Sequence, residues 1–310
     1  MRICFMGTPD FAIPCLHMLL NERRYEIVGV FTQPDRPKNR GKQFMAPPVK
    51  ALAVKRGLAV YQYDRVSKEG VDTLRSLDMD VMVTVAYGQI LSKEVLNIPR
   101  YGCINVHASL LPKYRGAAPI QWAIINGERN TGVTTMYTDI GVDTGDILLK
   151  QETPIGADET AGELFERLSV LGAQVLKETL QRVEEGTITR TPQDETQATH
   201  YPMLKKEHGR IDFHKTPAEI HNLVRGVSPW PGAYAAMGDA VYKIWRVAPM
   251  AGAEGCAPGT VLCADDQKGL VVQCAGGAVE VLQIQAPGGK RMDARAFLRG
   301  KKLPKERFNE

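Results

Sequence analysis

An amide, an imidazole and a hydroxyl fall within five residues at Asn105, His107 and Ser109, in the stretch Asn105-Val106-His107-Ala108-Ser109-Leu110-Leu111-Pro112-Lys113-Tyr114-Arg115-Gly116. The segment leading into it, 101–106, reads as a short buried strand, as does the apolar run at 80–86. Side chains on a strand repeat with period two, so Asn105 and His107 share one face at the strand's carboxyl end. Open α/β sheets hold their ligands at that edge. Downstream, Asp139-Ile140-Gly141-Val142-Asp143-Thr144-Gly145 adds a carboxylate in a glycine-punctuated loop. An amide donor, a proton carrier and an orienting acid suit acyl transfer. Ser109 lacks the Gly-x-Ser-x-Gly elbow, so no acyl-enzyme is expected. Plainer roles stay open on these residues alone. His107 could be structural, Asn105 could cap the adjoining loop, and Asp143 could be a turn former.

The elements that must position this set alternate along the first half. Strands are expected over 2–6, 27–31, 58–61, 80–86, 101–106, 132–136 and 147–151. Helical periodicity covers 11–20, 66–76, 119–126 and 160–184, with Thr8 as a cap and Pro9 opening the first helix. Strands alternating with helices imply a three-layer α/β fold around a mostly parallel sheet with helices on both faces. A polar, Thr- and Gln-rich stretch at 190–208 reads as a linker between residues 1–189 and 209–310. Beyond it, a short helix over 217–224 precedes strands over 233–235, 241–247, 259–263, 269–273 and 279–285, and a helical turn over 293–298. That pattern predicts a small antiparallel β domain, a barrel.

Composition narrows the possible functions. The 310 residues are 44% hydrophobic and 24% charged, as in a soluble globular protein. No run approaches the length of a membrane span, and the N-terminus lacks the features of a secretory peptide. Six cysteines, at 4, 15, 103, 256, 263 and 274, form no Cys-x-x-Cys or His/Cys cluster, so no metal is expected and the cytoplasm is the natural compartment. Gly7-Thr8-Pro9 stands where a dinucleotide fold would place its glycine fingerprint, which disfavours NAD and FAD. No phosphate loop of the Gly-Lys-Ser/Thr type occurs. Charge is unevenly spread. Residues 200–310 carry 16 Lys/Arg against 11 Asp/Glu, and the rest 23 against 24. The basic residues concentrate in two places: Arg36, Lys38, Arg40 and Lys42 in a Pro/Gly-rich loop, and a C-terminal group with Lys290, Arg291, Arg299, Lys301 and Lys302. Two such patches suggest an extended polyanion as partner.

These residues also match a known family. The chain resembles the methionyl-tRNA formyltransferases, within the 10-formyltetrahydrofolate-dependent formyltransferase superfamily. The resemblance spans nearly the whole chain through Gly7-Thr8-Pro9-Asp10-Phe11, Thr32-Gln33-Pro34-Asp35-Arg36-Pro37, the 105–119 block, Asp143-Thr144-Gly145-Asp146 and Trp230-Pro231-Gly232-Ala233. It implies a Rossmann-like formyltransferase domain followed by an OB-like barrel. It implies Asn105, His107 and Asp143 as the catalytic trio, with Ser109, Leu110, Leu111 and Pro112, and Asp139 and Gly141 on the later loop, beside the folate pocket. It further implies that no cofactor is tightly bound, that 10-formyltetrahydrofolate is a co-substrate, and that initiator Met-tRNA is the acceptor, formylated on its amino group for translation initiation. The basic loop would reach the acceptor stem while the C-terminal patch tracks the backbone. The protein would act as a monomer, away from membranes. An amino-sugar formyltransferase is the alternative enzyme, and an RNA-binding protein on a degenerate formyltransferase scaffold is the non-enzymatic one.

Overall fold

The computed structural model describes residues 1–38, 43–301, 303–304 and 306–309. Arg40, Lys42 and Lys302 therefore lie outside the described residues. The chain forms two compact units, one of residues 1–119, 130–154 and 165–201, the other of 120–129, 155–164 and 202–310.

The first unit holds a seven-stranded sheet. Its strands are β1 (Arg2–Gly7), β2 (Glu26–Thr32), β3 (Val60–Gln62), β4 (Val81–Val85), β5 (Cys103–His107), β6 (Asn130–Tyr137) and β7 (Ile147–Pro154), in the order β7-β6-β5-β4-β1-β2-β3. The five from β5 to β3 run parallel, while β6 is antiparallel to both of its neighbours, β5 and β7. The apolar run Val81-Met82-Val83-Thr84-Val85 is buried at every position, as a strand covered on both faces must be. On one face Cys4, Met6, Phe31, Met82 and Cys103 pack with Val66, Val71, Leu74 and Val95. These belong to the short helices Val66–Glu69, Val71–Ser76 and Lys93–Leu96. The other face takes the helix Ala161–Glu184. There Thr135 and Thr179 share a 2.7 Å hydroxyl hydrogen bond, and Gly172 lies so close that a Cβ would come 3.1 Å from Val106 Cγ1. Rossmann-like layering is thus present, with Asn105 and His107 on the face opposite that long helix.

Several local expectations need correction. The helix expected over 66–76 breaks at Gly70, where a side chain would meet Val66 Cγ2 at 2.9 Å and Tyr63 Cδ2 at 3.0 Å. The first helix begins as a 3-10 turn, Asp10–Ala12, and Thr8 does not cap it. Its hydroxyl instead donates to Tyr87 O at 2.9 Å and accepts from Gln33 N at 3.2 Å, which ties the end of β1 to its neighbours. The helix Pro48–Lys55 was not expected. The basic loop is flanked by a paired ribbon, Arg36–Lys38 against Gln43–Met45. That ribbon gives no alternating burial signal, because Phe44 is 71% exposed. Finally, part of the stretch expected as a linker is built into the first unit. Thr191 bridges to Ile147, and His200–Tyr201 pairs in parallel with Arg115–Gly116.

The second unit holds an antiparallel sheet of β8 (Ala233–Met237), β9 (Ala240–Met250), β10 (Val261–Asp265), β11 (Gly269–Cys274) and β12 (Gly277–Gln285), ordered β8-β9-β12-β11-β10, with Met292–Asp293 paired to β12. Ile220 and Val224 from the helix Pro217–Gly226, and Phe297 from Ala294–Gly300, join Tyr242, Ile244, Val272, Val281, Ile284 and Phe308 in its core. Thr216 and Glu219 close a capping box on the first of these helices. Thr216→Ala is expected to destabilise this unit by about 1 kcal/mol, measurable as a lower midpoint in urea unfolding. Among the described residues no helix is long and apolar enough to cross a membrane, and no group of three His, Cys, Asp or Glu is placed to hold a metal ion.

Candidate active site

Register builds the first half of the site. Thr84 on β4 lies beside Asn105 on β5, and its hydroxyl donates to Asn105 Oδ1 at 2.9 Å. The amide oxygen is thereby occupied, and the Asn105 NH₂ is left to serve as a donor. His107 ends β5 opposite Thr134 and is 7% exposed. Its Nε2 lies 2.9 Å from Tyr114 O. A carbonyl can only accept, so Nε2 carries the hydrogen in that contact and Nδ1 is the nitrogen left to exchange a proton. Nδ1 faces Asp143 Oδ1 at 3.6 Å.

Asp143 is itself fixed. Its Oδ2 accepts from Gly116 N at 2.8 Å and its backbone carbonyl accepts from Gln193 Nε2 at 2.8 Å. Tyr114 and Asp143, the two residues that flank the imidazole, both have left-handed backbones, with φ of 61° and 55°. Such conformations cost roughly 1–3 kcal/mol each outside glycine and persist where surrounding contacts hold them, commonly at functional sites.

The residues expected beside the folate pocket divide. Ser109 is buried and its hydroxyl donates to Lys113 O at 2.7 Å. Leu111 is buried against Met136 and Ile147. Both side chains therefore face inward, and any contact they make with a ligand must be through backbone. Leu110 and Pro112 are half-buried. Asp139 and Gly141 are exposed on their loop, where Asp139 Oδ1 accepts from Gly141 N at 3.3 Å. Their neighbours Ile140 and Val142 are 70% and 53% exposed, two apolar side chains that sequence reading did not single out. A cavity of about 620 Å³ is lined by Arg100, Tyr101, Tyr137, Asp139, Ile140 and Arg190, and touches the 139–145 loop but not residues 109–112.

Sequence reasoning also missed a buried polar cluster. Arg115 is 1% exposed, donates from Nη1 and Nη2 to Glu195 at 2.8 and 2.7 Å, and donates from Nε and Nη2 to Gln193 Oε1 at 3.0 and 2.9 Å. The Glu195 carboxylate pushes the guanidinium up from its ordinary value, and Arg115 holds Glu195 below the usual carboxylate range. The cysteines offer no nucleophile here, since burial raises Cys103 to about 11 and Cys15 to about 12.

The expected RNA contacts are surface groups. Arg36 is exposed, 3.9 Å from Asp64 Oδ1. The backbone of Lys38 belongs to the paired ribbon. In the second unit Lys290, Arg291, Arg299 and Lys301 are all exposed. Arg291 lies over the Trp245 ring at 5.1 Å and donates from Nε to Gln283 Oε1 at 2.8 Å.

Residues 1–180 match the formyl transferase family, and residues 203–302 match the formyl transferase C-terminal domain family. An N-formyltransferase from Helicobacter canadensis, solved with folinic acid and dTDP-3-aminofucose, shares the fold with a TM-score of 0.68 at 19% identity, over 94% of this chain and 99% of that one. The fold and the site thus define a formyltransferase with both domains. Methionyl-tRNA formyltransferases from Ruminiclostridium cellulolyticum and Acetivibrio thermocellus are 48% and 52% identical to it over 306 and 305 residues, in each case 98% of this chain and 97% of the relative. The chain belongs to the methionyl-tRNA formyltransferase family.

Proposed function

We propose that this protein transfers the formyl group of 10-formyltetrahydrofolate to the free amino group of methionyl initiator tRNA, supplying formylmethionyl-tRNA for translation initiation. The observation that carries this reading is the 48% to 52% identity across both units to enzymes of that name. The arrangement of Asn105, His107 and Asp143 is chemically suited to it.

In this reading the amine attacks the formyl carbon directly. A C–N bond forms, a tetrahedral oxyanion develops, and the bond to the folate nitrogen breaks as one proton passes from the amine to the leaving nitrogen. The Asn105 NH₂, kept available by Thr84, donates to the oxyanion. His107 Nδ1 carries the proton between the two nitrogens, with Asp143 stabilising the charged ring. The folate would lie at the carboxyl edge of the sheet between the backbone of residues 109–112 and the loop of Asp139 and Gly141, where exposed Ile140 and Val142 offer apolar surface to its ring system. Residues 1–189, with the part of 190–208 that packs onto them, would carry catalysis, and residues 209–310 RNA contact. The second unit's sheet is read as an open OB-like barrel, and the protein as a cytoplasmic monomer.

The acceptor would be held by Arg36, Lys38, Arg40 and Lys42 at the stem and by Lys290, Arg291, Arg299, Lys301 and Lys302 along the backbone. Each phosphate contact releases counterions, so raising salt from about 50 to 200 mM is expected to weaken tRNA binding roughly 10³-fold. Filter binding across that range checks this, and an affinity indifferent to salt would count against the RNA reading. The function itself is tested by supplying 10-formyltetrahydrofolate with initiator Met-tRNA, glycinamide ribonucleotide or an amino-sugar nucleotide. Formylation of Met-tRNA is expected. Transfer to the amino sugar alone would favour the activity of the 19%-identical fold relative instead.

A further inference from the structure

We propose that Gln193 is a positioning residue for formyl transfer, setting the approach of Asp143 to His107 by clamping the 143–145 backbone against the buried Arg115. This rests on the formyl-transfer reading above.

The amide of Gln193 is saturated and its orientation is forced. Arg115 has donors only, so Gln193 Oε1 must face it, and it accepts from Nε at 3.0 Å and Nη2 at 2.9 Å. The NH₂ then faces two carbonyls, donating to Asp143 O and Gly145 O at 2.8 Å each. The bidentate pair with Glu195 brings the guanidinium to four hydrogen bonds, so Arg115 is a fixed post.

Asp143 is consequently held at two points, its carbonyl by Gln193 and its Oδ2 by Gly116 N, which leaves Oδ1 toward the imidazole. The same chain segment fixes the other side of His107. Thr199 Oγ1 accepts from Tyr114 N at 2.8 Å, and Thr199 O accepts from Arg115 N at 2.8 Å. Tyr114 O is the acceptor for His107 Nε2. Both partners of the imidazole therefore depend on residues 193–199, outside every motif that sequence reading connected with catalysis. Once the clamp is removed, a left-handed Asp143, at φ 55°, is held by Gly116 N alone.

Two variants together test the effect. Gln193→Glu keeps an acceptor for Arg115 and removes the NH₂ that holds the two carbonyls but adds a negative charge, so it is read beside Gln193→Asn, which withdraws the NH₂ by one methylene without a new charge. Formylation of Met-tRNA is expected to lose about 10- to 100-fold in kcat, the scale of a reacting group displaced by an ångström. The KM for the formyl donor should stay within a few-fold of wild type, and the melting temperature close to it. Imidazole ¹⁵N NMR of the free protein supplies a readout that needs no activity: the His107 signals are expected to move. Wild-type kcat in the variant, or unmoved His107 signals, would overturn the proposal. If Gln193→Glu does not fold, Gln193→Asn, which keeps both amide groups one methylene short, must show the same split and the same displaced signals. An unaltered wild-type protein that formylates no Met-tRNA would refute the functional reading, while the NMR comparison still decides the clamp.

Discussion

Replacing His107 by Ala is expected to lower kcat for formyl transfer by about 10²- to 10⁴-fold, the range for loss of a positioned general acid–base. The ring is held from both sides, by Tyr114 O at 2.9 Å and by Asp143 at 3.6 Å. Asn105→Ala removes the oxyanion donor instead and is expected to cost roughly 10²- to 10³-fold. Both variants should keep the fold: Asn105 is half-buried at a strand end, and neither side chain belongs to the apolar clusters. Steady-state formylation with circular dichroism of the same samples checks this. A variant turning over near the wild-type rate would remove that residue from the mechanism.

Gly145→Ala is expected to abolish most activity without touching any group that does chemistry. A Cβ at this position would sit 1.8 Å from Tyr137 O and 2.9 Å from Tyr137 C, backbone atoms at the end of β6. Tyr137 pairs with Ile104 on β5 and donates its N–H to Asp146 O at 2.9 Å, so it cannot yield. The loop must move, and Asp143 moves with it. A displacement of about an ångström at a reacting group costs on the order of a hundredfold in rate. The melting temperature should fall as well. Gly300→Ala is the control, since nothing lies within 4 Å of its Cβ direction, and it should leave both measurements unchanged. An active Gly145→Ala protein would mean that the loop tolerates rearrangement and that its geometry does not limit the reaction.

The strands around the site were legible because parallel central strands are mostly apolar. Residues 81–85 and 103–107 could hardly be read otherwise, and period two then placed Asn105 and His107 together. What escaped was structure without an apolar signature. The ribbon flanking the basic loop exposes Phe44 and buries no alternating face, so it reads as coil. The break at Gly70 depends on Tyr63 and Val66 closing over it, a tertiary fact. Gln193 was invisible for a similar reason. Its neighbours are polar, and polarity reads as linker until Arg115 is seen buried on the other side. Ser109 and Leu111 mislead in the opposite sense: they belong to the most informative block of the chain, yet their side chains serve the protein's interior.

The clamp on Arg115 also bears on when the site comes into being. Gln193 follows Arg115 by 78 residues, and β6, β7 and the long helix Ala161–Glu184 lie between them. Closing a contact of that sequence separation requires the whole intervening chain to have been made. A growing polypeptide that has already delivered Asn105, His107 and Asp143 still has an unpaired guanidinium where the completed protein has a neutralised one. The segment that holds Asp143 in place is thus synthesised only after every strand of the sheet it completes.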